Sequence, residues 1–262
     1  TMNRSEIFLV MVSGMGTIAG SVMGTYIGML GGTDPAAKVL FATHLLSASV
    51  MAVPGSIVLA KMLCPQTEEA TDHVAISGKE KENSNILDAI SSGTVTGVKL
   101  MTNIAAMLLV FISLVALANY ITEGVIGRYT GLNDWIVKIT DGKAQGLTFQ
   151  FILGVITSPF MWLIGVPSQD IMLVGSLLGQ KTILNEFVAY FQLQQWKDAG
   201  LFMYEKSILM STYILCGFAN ISSIGILLGG LGVLAPEKRG LISRIGVPAM
   251  IGGALVSVLS AT

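Results

Sequence analysis

Charge is scarce in this chain: Asp, Glu, Lys and Arg make up 12% of 262 residues, about half the share usual in a soluble domain. The net charge is −1 and no basic cluster is present, which argues against nucleic acid as a partner. Histidine is almost missing. His44 lies at the start of an apolar run and reads as an ordinary interfacial residue; His73 lies in a hydrophilic stretch, and neither has a companion at metal-ligand spacing. The two cysteines, Cys64 and Cys216, sit beside apolar runs and make neither a disulfide framework nor a zinc site. No G-x-S-x-G, H-E-x-x-H or P-loop occurs, so the common hydrolase, metalloprotease and nucleotide-binding signatures are absent.

What fills the space is apolar. Hydrophobic residues make up 52% of the chain, and the mean hydropathy is +0.72. A water-soluble core cannot absorb that many without leaving large greasy patches outside. Disorder and a secreted mini-protein are excluded on the same grounds, and the class is an all-α integral membrane protein. Arg4 before the apolar residues 7–12 has the look of a signal peptide, but Glu6 intervenes and no small-residue cleavage site follows.

A spanning helix needs about 20 mostly apolar residues. Residues 7–30, 45–63, 98–121, 207–233 and 241–259 qualify. Residues 147–166 are long enough but carry Pro159, while 171–178 and 183–191 are too short to cross. Two short apolar helices joined by the polar Gly179, Gln180, Lys181 and Thr182 predict a re-entrant hairpin. Irregular backbone at that depth is tolerated only inside protein or along a cavity, which points to a transporter. Residues 65–84 are strongly hydrophilic and read as a solvated loop; residues 85–99 read as an interfacial helix capped near Asn85, with Asp88 in its first turn. Arg4, Lys61, Lys99, Lys238, Arg239 and Arg244 mark the cytoplasmic ends of the spans.

Two spans are unusual. The first carries Gly16, Gly20, Gly24 and Gly28 at a period of four, around Ser13, Thr17, Ser21 and Thr25; such a stripe ordinarily means close helix packing. The fourth has the run CGFANISSIG at its centre, residues 216–225. That run predicts either a kinked helix with its hydroxyls bonded to its own carbonyls or a broken helix facing a substrate. Each of the two spans is followed by a short loop and a last span containing proline, Pro54 or Pro248. Inverted repeats whose discontinuous helices meet at the midplane are built this way. A hairpin precedes the second repeat only, so a matching hairpin is expected upstream of Thr1.

Glu186 is the most informative residue. It stands among Ile183, Leu184, Phe187 and Val188, and a charge at membrane depth costs at least a few kcal/mol unless partnered. A surface carboxylate, solvated or paired with Lys181, is the bland alternative. As a ligand group it would accept hydrogen bonds from substrate hydroxyls, or bind a cation or proton. Asn220 offers both a donor and an acceptor, Ser222 and Ser223 add hydroxyls, and Phe218 adds an aromatic face.

At these positions the chain resembles the concentrative nucleoside transporter family. The matching stretches are residues 16–22 (GTIAGSV), 44–51 (HLLSASVM), 184–190 (LNEFVAY), 216–225 (CGFANISSIG) and 231–239 (LGVLAPEKR). They occur in family order and correspond to the family's C-terminal part, without its N-terminal scaffold helices and first re-entrant hairpin. The resemblance implies an inverted-repeat transporter, a homotrimer in the plasma membrane (the inner membrane of a Gram-negative bacterium), in which a transport domain moves against a scaffold. Residues 1–64 would hold the first broken helix and the span after it, 65–97 a cytoplasmic loop and interfacial helix, and 98–122 the scaffold span at the trimer contact. Residues 123–167 would form an outer loop and interfacial helix, and 168–262 the hairpin, second broken helix and final span. The resemblance further implies that Glu186 and Asn220 hold ribose hydroxyls with Phe218 and Ser223 nearby, and that Val22 contacts the base. Thr17 and the Ile18 carbonyl would bind Na+, with H+ the alternative coupling ion. Threonine at 17 stands where the family pattern has serine and keeps the oxygen. No other cofactor and no enzymatic activity are implied; the competing readings are a transporter of another polar solute and an intramembrane enzyme using Glu186. The chain alone, without the upstream hairpin, is expected not to transport.

Overall fold

The computed structural model describes residues 2–67, 85–140, 142 and 144–262. Most of the hydrophilic stretch read as a solvated loop, with His73, lies outside the described residues. Among those described, every regular element is helical.

Helix α1 (Arg4–Gly16) starts on a capping box: Glu6 N donates to Asn3 Oδ1 at 2.9 Å, and Asn3 N donates to Glu6 Oε2 at 2.8 Å. The acid that interrupts the signal-like run is therefore part of a helix start. After Gly16 the backbone runs extended through Thr17 and Ala19, and α2 (Gly20–Gly31) resumes. Gly32, at φ +54°, turns the chain. Asp34 then caps α3 (Pro35–Leu63), accepting from Ala36 N at 3.0 Å and Ala37 N at 3.2 Å. The first span is thus a broken helix, and its two halves serve different cores. Phe8, Met11, Val12 and Met15 of α1 pack with Ala52, Ala60, Ile245, Ala249 and Val256. Tyr26 and Leu30 of α2 pack with Phe41, Leu45, Leu177, Tyr190 and Leu193.

Helix α4 (Ile86–Asn119) is capped by Asn85, which accepts from Asp88 N at 2.8 Å. The segment read as interfacial and the span after it form this one helix of 34 residues, about 51 Å long and longer than the roughly 30 Å of hydrocarbon. Nothing between residues 97 and 98 breaks it; the glycines and threonines there lower apolarity without lowering helicity enough. A π-helical stretch, Tyr120–Gly127, continues into α5 (Arg128–Thr130) and α6 (Leu132–Ile139). Asn119, at the end of α4, accepts from Phe149 N at 2.7 Å and donates to Gln150 Oε1 at 3.2 Å. It thereby ties α4 to the start of α7 (Phe149–Leu163). Elsewhere α4 leaves Leu109, Val110, Ile112, Leu114 and Leu117 exposed.

The rest of the chain is α8 (Ile171–Ile183), α9 (Glu186–Asp198), α10 (Glu205–Leu215), α11 (Ile221–Leu234), a 3-10 turn and α12 (Arg239–Leu259). The fourth span is also broken, between α10 and α11. Lys61 Nζ donates to Ser5 Oγ at 3.0 Å, and Arg4, Cys64 and Arg244 line one cavity. The start of α1, the end of α3 and the start of α12 thus share one end, where the positive residues were expected together.

Candidate functional site

Helices α8 and α9 have 13 residues each, about 20 Å, too short to cross. They form the expected hairpin, but its turn lies at Leu184 and Asn185. Gly179, Gln180, Lys181 and Thr182, read as the turn, are helical and belong to the end of α8. Their polarity has other uses. A Cβ on Gly179 would lie 2.5 Å from Leu153 Cβ, so glycine lets α8 approach α7. Lys181, fully buried, turns inward. The chain turns later because Asn185 supplies the cap of α9, accepting from Val188 N at 2.9 Å.

Glu186 is the first residue of α9 and is 7% exposed. Its Oε2 accepts from Asn220 Nδ2 at 3.0 Å, and its Oε1 from Tyr26 Oη at 3.4 Å. Asn220 is the N-cap of α11: its Oδ1 accepts from Ser223 N at 2.9 Å and Ser222 Oγ at 2.6 Å. Because the cap holds Oδ1, the amide must present its NH2 to the acid. Ser223 completes the box, accepting from Asn220 N at 3.1 Å and donating to Asn220 O at 2.6 Å. The carboxylate therefore stands at the start of α9 and against the start of α11, two helix ends whose partial charge is positive. Those ends and the two hydrogen bonds offset the cost of a buried acid. Lys181 lies within electrostatic reach of the acid but makes no hydrogen bond to it, so the direct pairing of the bland alternative is not seen. The ammonium donates to Ile214 O at 2.8 Å and Ser257 Oγ at 3.1 Å.

The structure brings together Glu186, Asn220 and Ser223, from two regions of the sequence, with Tyr26 of α2 from a third. Phe218 is half-buried inside the second break. Val22 is half-buried on α2, one turn before Tyr26 and on the same face. Thr17 and Ile18 occupy the first break, where Thr17 Oγ1 donates to Ser13 O at 3.0 Å. That bond uses the hydroxyl proton and leaves the oxygen lone pairs free for a cation, so the residues present fit the expected Na+ ligation. The two breaks touch: a Cβ on Gly217 would overlap Ser257 Oγ and come within 3.0 Å of Met15 O and 3.2 Å of Gly16 O.

Among the described residues, only one end of the glycine stripe is packed. Gly16 meets Val256, at 3.0 Å from its Cγ1, but positions for a Cβ on Gly20, Gly24 and Gly28 have nothing within 4 Å. Sequence reasoning missed Tyr26, the one aromatic residue among the small ones of α2, which stacks on Tyr190 with ring centroids 4.1 Å apart. Tyr190 in turn donates to Thr212 O at 2.7 Å. A lone tyrosine four residues after Val22 was the available signal.

Residues 44–262 match a family model described as the C-terminus of Na+ dependent nucleoside transporters. The chain belongs to this family. It is 39% identical to an uncharacterized transporter of Haemophilus influenzae, over 100% of this chain and 58% of that protein. It is 38% identical to sodium/nucleoside cotransporter 1 of Rattus norvegicus, over 99% of this chain and 39% of that one. With the nucleoside permease NupC of Helicobacter pylori the identity is 36%, over 100% and 57%. Among solved structures, CNTnw in an inward-facing substrate-bound state superposes with a TM-score of 0.79 at 36% identity, over 99% of this chain and 56% of that one. The chain spans about 58% or less of the length of these relatives. This nucleoside transporter family consists of all-α membrane proteins named as transporters and permeases, and the broken helices and hairpin described above are this chain's share of that architecture.

Proposed function

We propose that the protein to which this chain belongs imports nucleosides by alternating access, driven by a Na+ or H+ gradient. The observation that carries this reading is the 3.0 Å bond between Glu186, on the hairpin, and Asn220, in the second break. A carboxylate and a carboxamide held side by side at a water-poor site suit the vicinal hydroxyls of a ribose, because each group can bind one hydroxyl while still touching the other. Glu186 and Asn220 hold the ribose, Ser223 and Phe218 border it, and Val22 faces the base. Thr17 and the Ile18 carbonyl receive the cation. One charge moving inward across about 100 mV supplies about 2.3 kcal/mol, enough for roughly fifty-fold accumulation at about 1.4 kcal/mol per tenfold.

Helices α1 to α3 and α8 to α12 form the moving part. Helix α4, tied through Asn119 to α7 and with Leu109, Val110, Ile112, Leu114 and Leu117 exposed, acts as the scaffold span and trimer contact in a plasma or bacterial inner membrane. The test is uptake of radiolabelled uridine by the full-length protein in liposomes, with sodium and proton gradients imposed separately. Accumulation that follows one gradient and is competed by adenosine supports the reading. Equal competition by unrelated solutes refutes the substrate class, and conversion of uridine to a new product refutes transport in favour of an enzyme.

A further inference from the structure

Among the described residues Lys181 is the most deeply placed cation, 0% exposed, and the transport reading gives it no role. A lysine there is costly unless paired; the Glu186 carboxylate lies within electrostatic reach, yet the two groups that Lys181 hydrogen-bonds are neutral: Ile214 O at 2.8 Å and Ser257 Oγ at 3.1 Å. Ser257 spends its own proton on Gly253 O at 3.3 Å, so it meets the ammonium with a lone pair. Ile214 is the penultimate residue of α10. Its carbonyl is one of the four that a helix leaves without an internal partner, at the end where the helix dipole is negative. A second such end lies alongside, since Met15 O and Gly16 O of α1 stand at the Gly217 position. Two negative helix ends abutting inside a membrane need positive charge between them.

We infer that Lys181 is a tethered cation that satisfies the α10 end as a bound monovalent ion would, and that it is thereby a positioning residue fastening the hairpin to the second break. Lys181 lies five residues before Glu186, and Ile214 six before Asn220. The clamp therefore fixes, from the far side of both turns, the two segments whose side chains meet at 3.0 Å. It also leaves the α1 end, at Thr17 and Ile18, as the one that takes its cation from solution; this last point rests on the proposed transport reading.

The test is thermal unfolding of the purified full-length protein in detergent, which does not depend on that reading. Lys181→Ala should lower the melting temperature by about 5 °C, as expected when a buried ammonium's hydrogen bonds are lost. Propylammonium, which fits the space of the lost side chain and carries the charge, should restore at least half of the loss, and propanol should restore none. Lys181→Met, which keeps the bulk, should melt as low as the alanine variant. In liposomes, uridine uptake by Lys181→Ala should fall at least about tenfold and recover with propylammonium alone. Equal rescue by propanol, no rescue by the amine, or a wild-type melting temperature in Lys181→Met overturns the inference. So does failure of the variants to fold that propylammonium added during solubilisation does not correct. Wild-type protein that transports no nucleoside would refute the transport reading while leaving the melting comparison intact.

Discussion

The two helix breaks carry similar sequence and meet different surroundings. In the second, Cys216, Gly217, Ala219 and Asn220 are buried, α11 starts on a capping box, and Lys181 closes the end of α10. In the first, Thr17 and Ile18 are half-buried and Ala19 and Gly20 are exposed, while α2 starts at Ala19 with no side-chain cap. A break inside a membrane must have its freed amides and carbonyls met by something. The second break is met by its own hairpin. In the first, among the described residues, the start of α2 has no side-chain cap and the Cβ positions of Gly20, Gly24 and Gly28 have nothing within 4 Å.

The largest effects should come from the completed break. Glu186→Gln and Asn220→Ala should each cut uridine uptake by about a hundredfold, in line with losing hydrogen bonds to a charged group, with protein still reaching the membrane. Near-normal uptake in both would show that the joined pair is structural. Next, Gly217→Ala should destabilise the protein by about 1–3 kcal/mol through overpacking against Ser257 and the end of α1, read as a lower melting temperature. Gly20→Ala, at the matching place in the first break, should change stability by no more than about 0.5 kcal/mol. A cost equal to that of Gly217→Ala would show the first break to be covered by chain outside the described residues. Tyr26→Phe keeps the stack on Tyr190 and removes one hydrogen bond, so KM for uridine should rise about fivefold. Smallest is Lys197→Met: its ammonium donates to Leu30 O at 2.7 Å, at the end of α2, and its loss should cost about 0.5–1 kcal/mol in thermal unfolding.

The contrast between the breaks also bears on what could be read from sequence. Glu186 and Asn220 as candidates, an irregularity at residues 216–225 and the short helices of the hairpin were legible, because a carboxylate or carboxamide in an apolar run is conspicuous; that the two share a site was expected from the family resemblance. The cap at Asn85 was legible for the same kind of reason, a residue type with one local job. The turn of the hairpin was misplaced because polarity marks where polar groups are, not whether they face solvent or a partner; Lys181 is polar and wholly interior. Tyr26 escaped because its partner stands 160 positions away. The length of α4 escaped because glycine and threonine weaken hydropathy without stopping a helix that begins on a good cap. Spacing specifies the face of Gly20, Gly24 and Gly28 and says nothing of what lies against it; among the described residues nothing does.

Asn220 offers both faces of its amide at once, the oxygen to Ser223 N and the nitrogen to Glu186. Aspartate is an equally good helix start and would look like a mild replacement. Here it would keep the helix and set two acids against each other, removing the donor and adding repulsion in a single step. The position therefore demands a side chain that is an acceptor on one edge and a donor on the other, and asparagine is the shortest that carries the two on separate atoms.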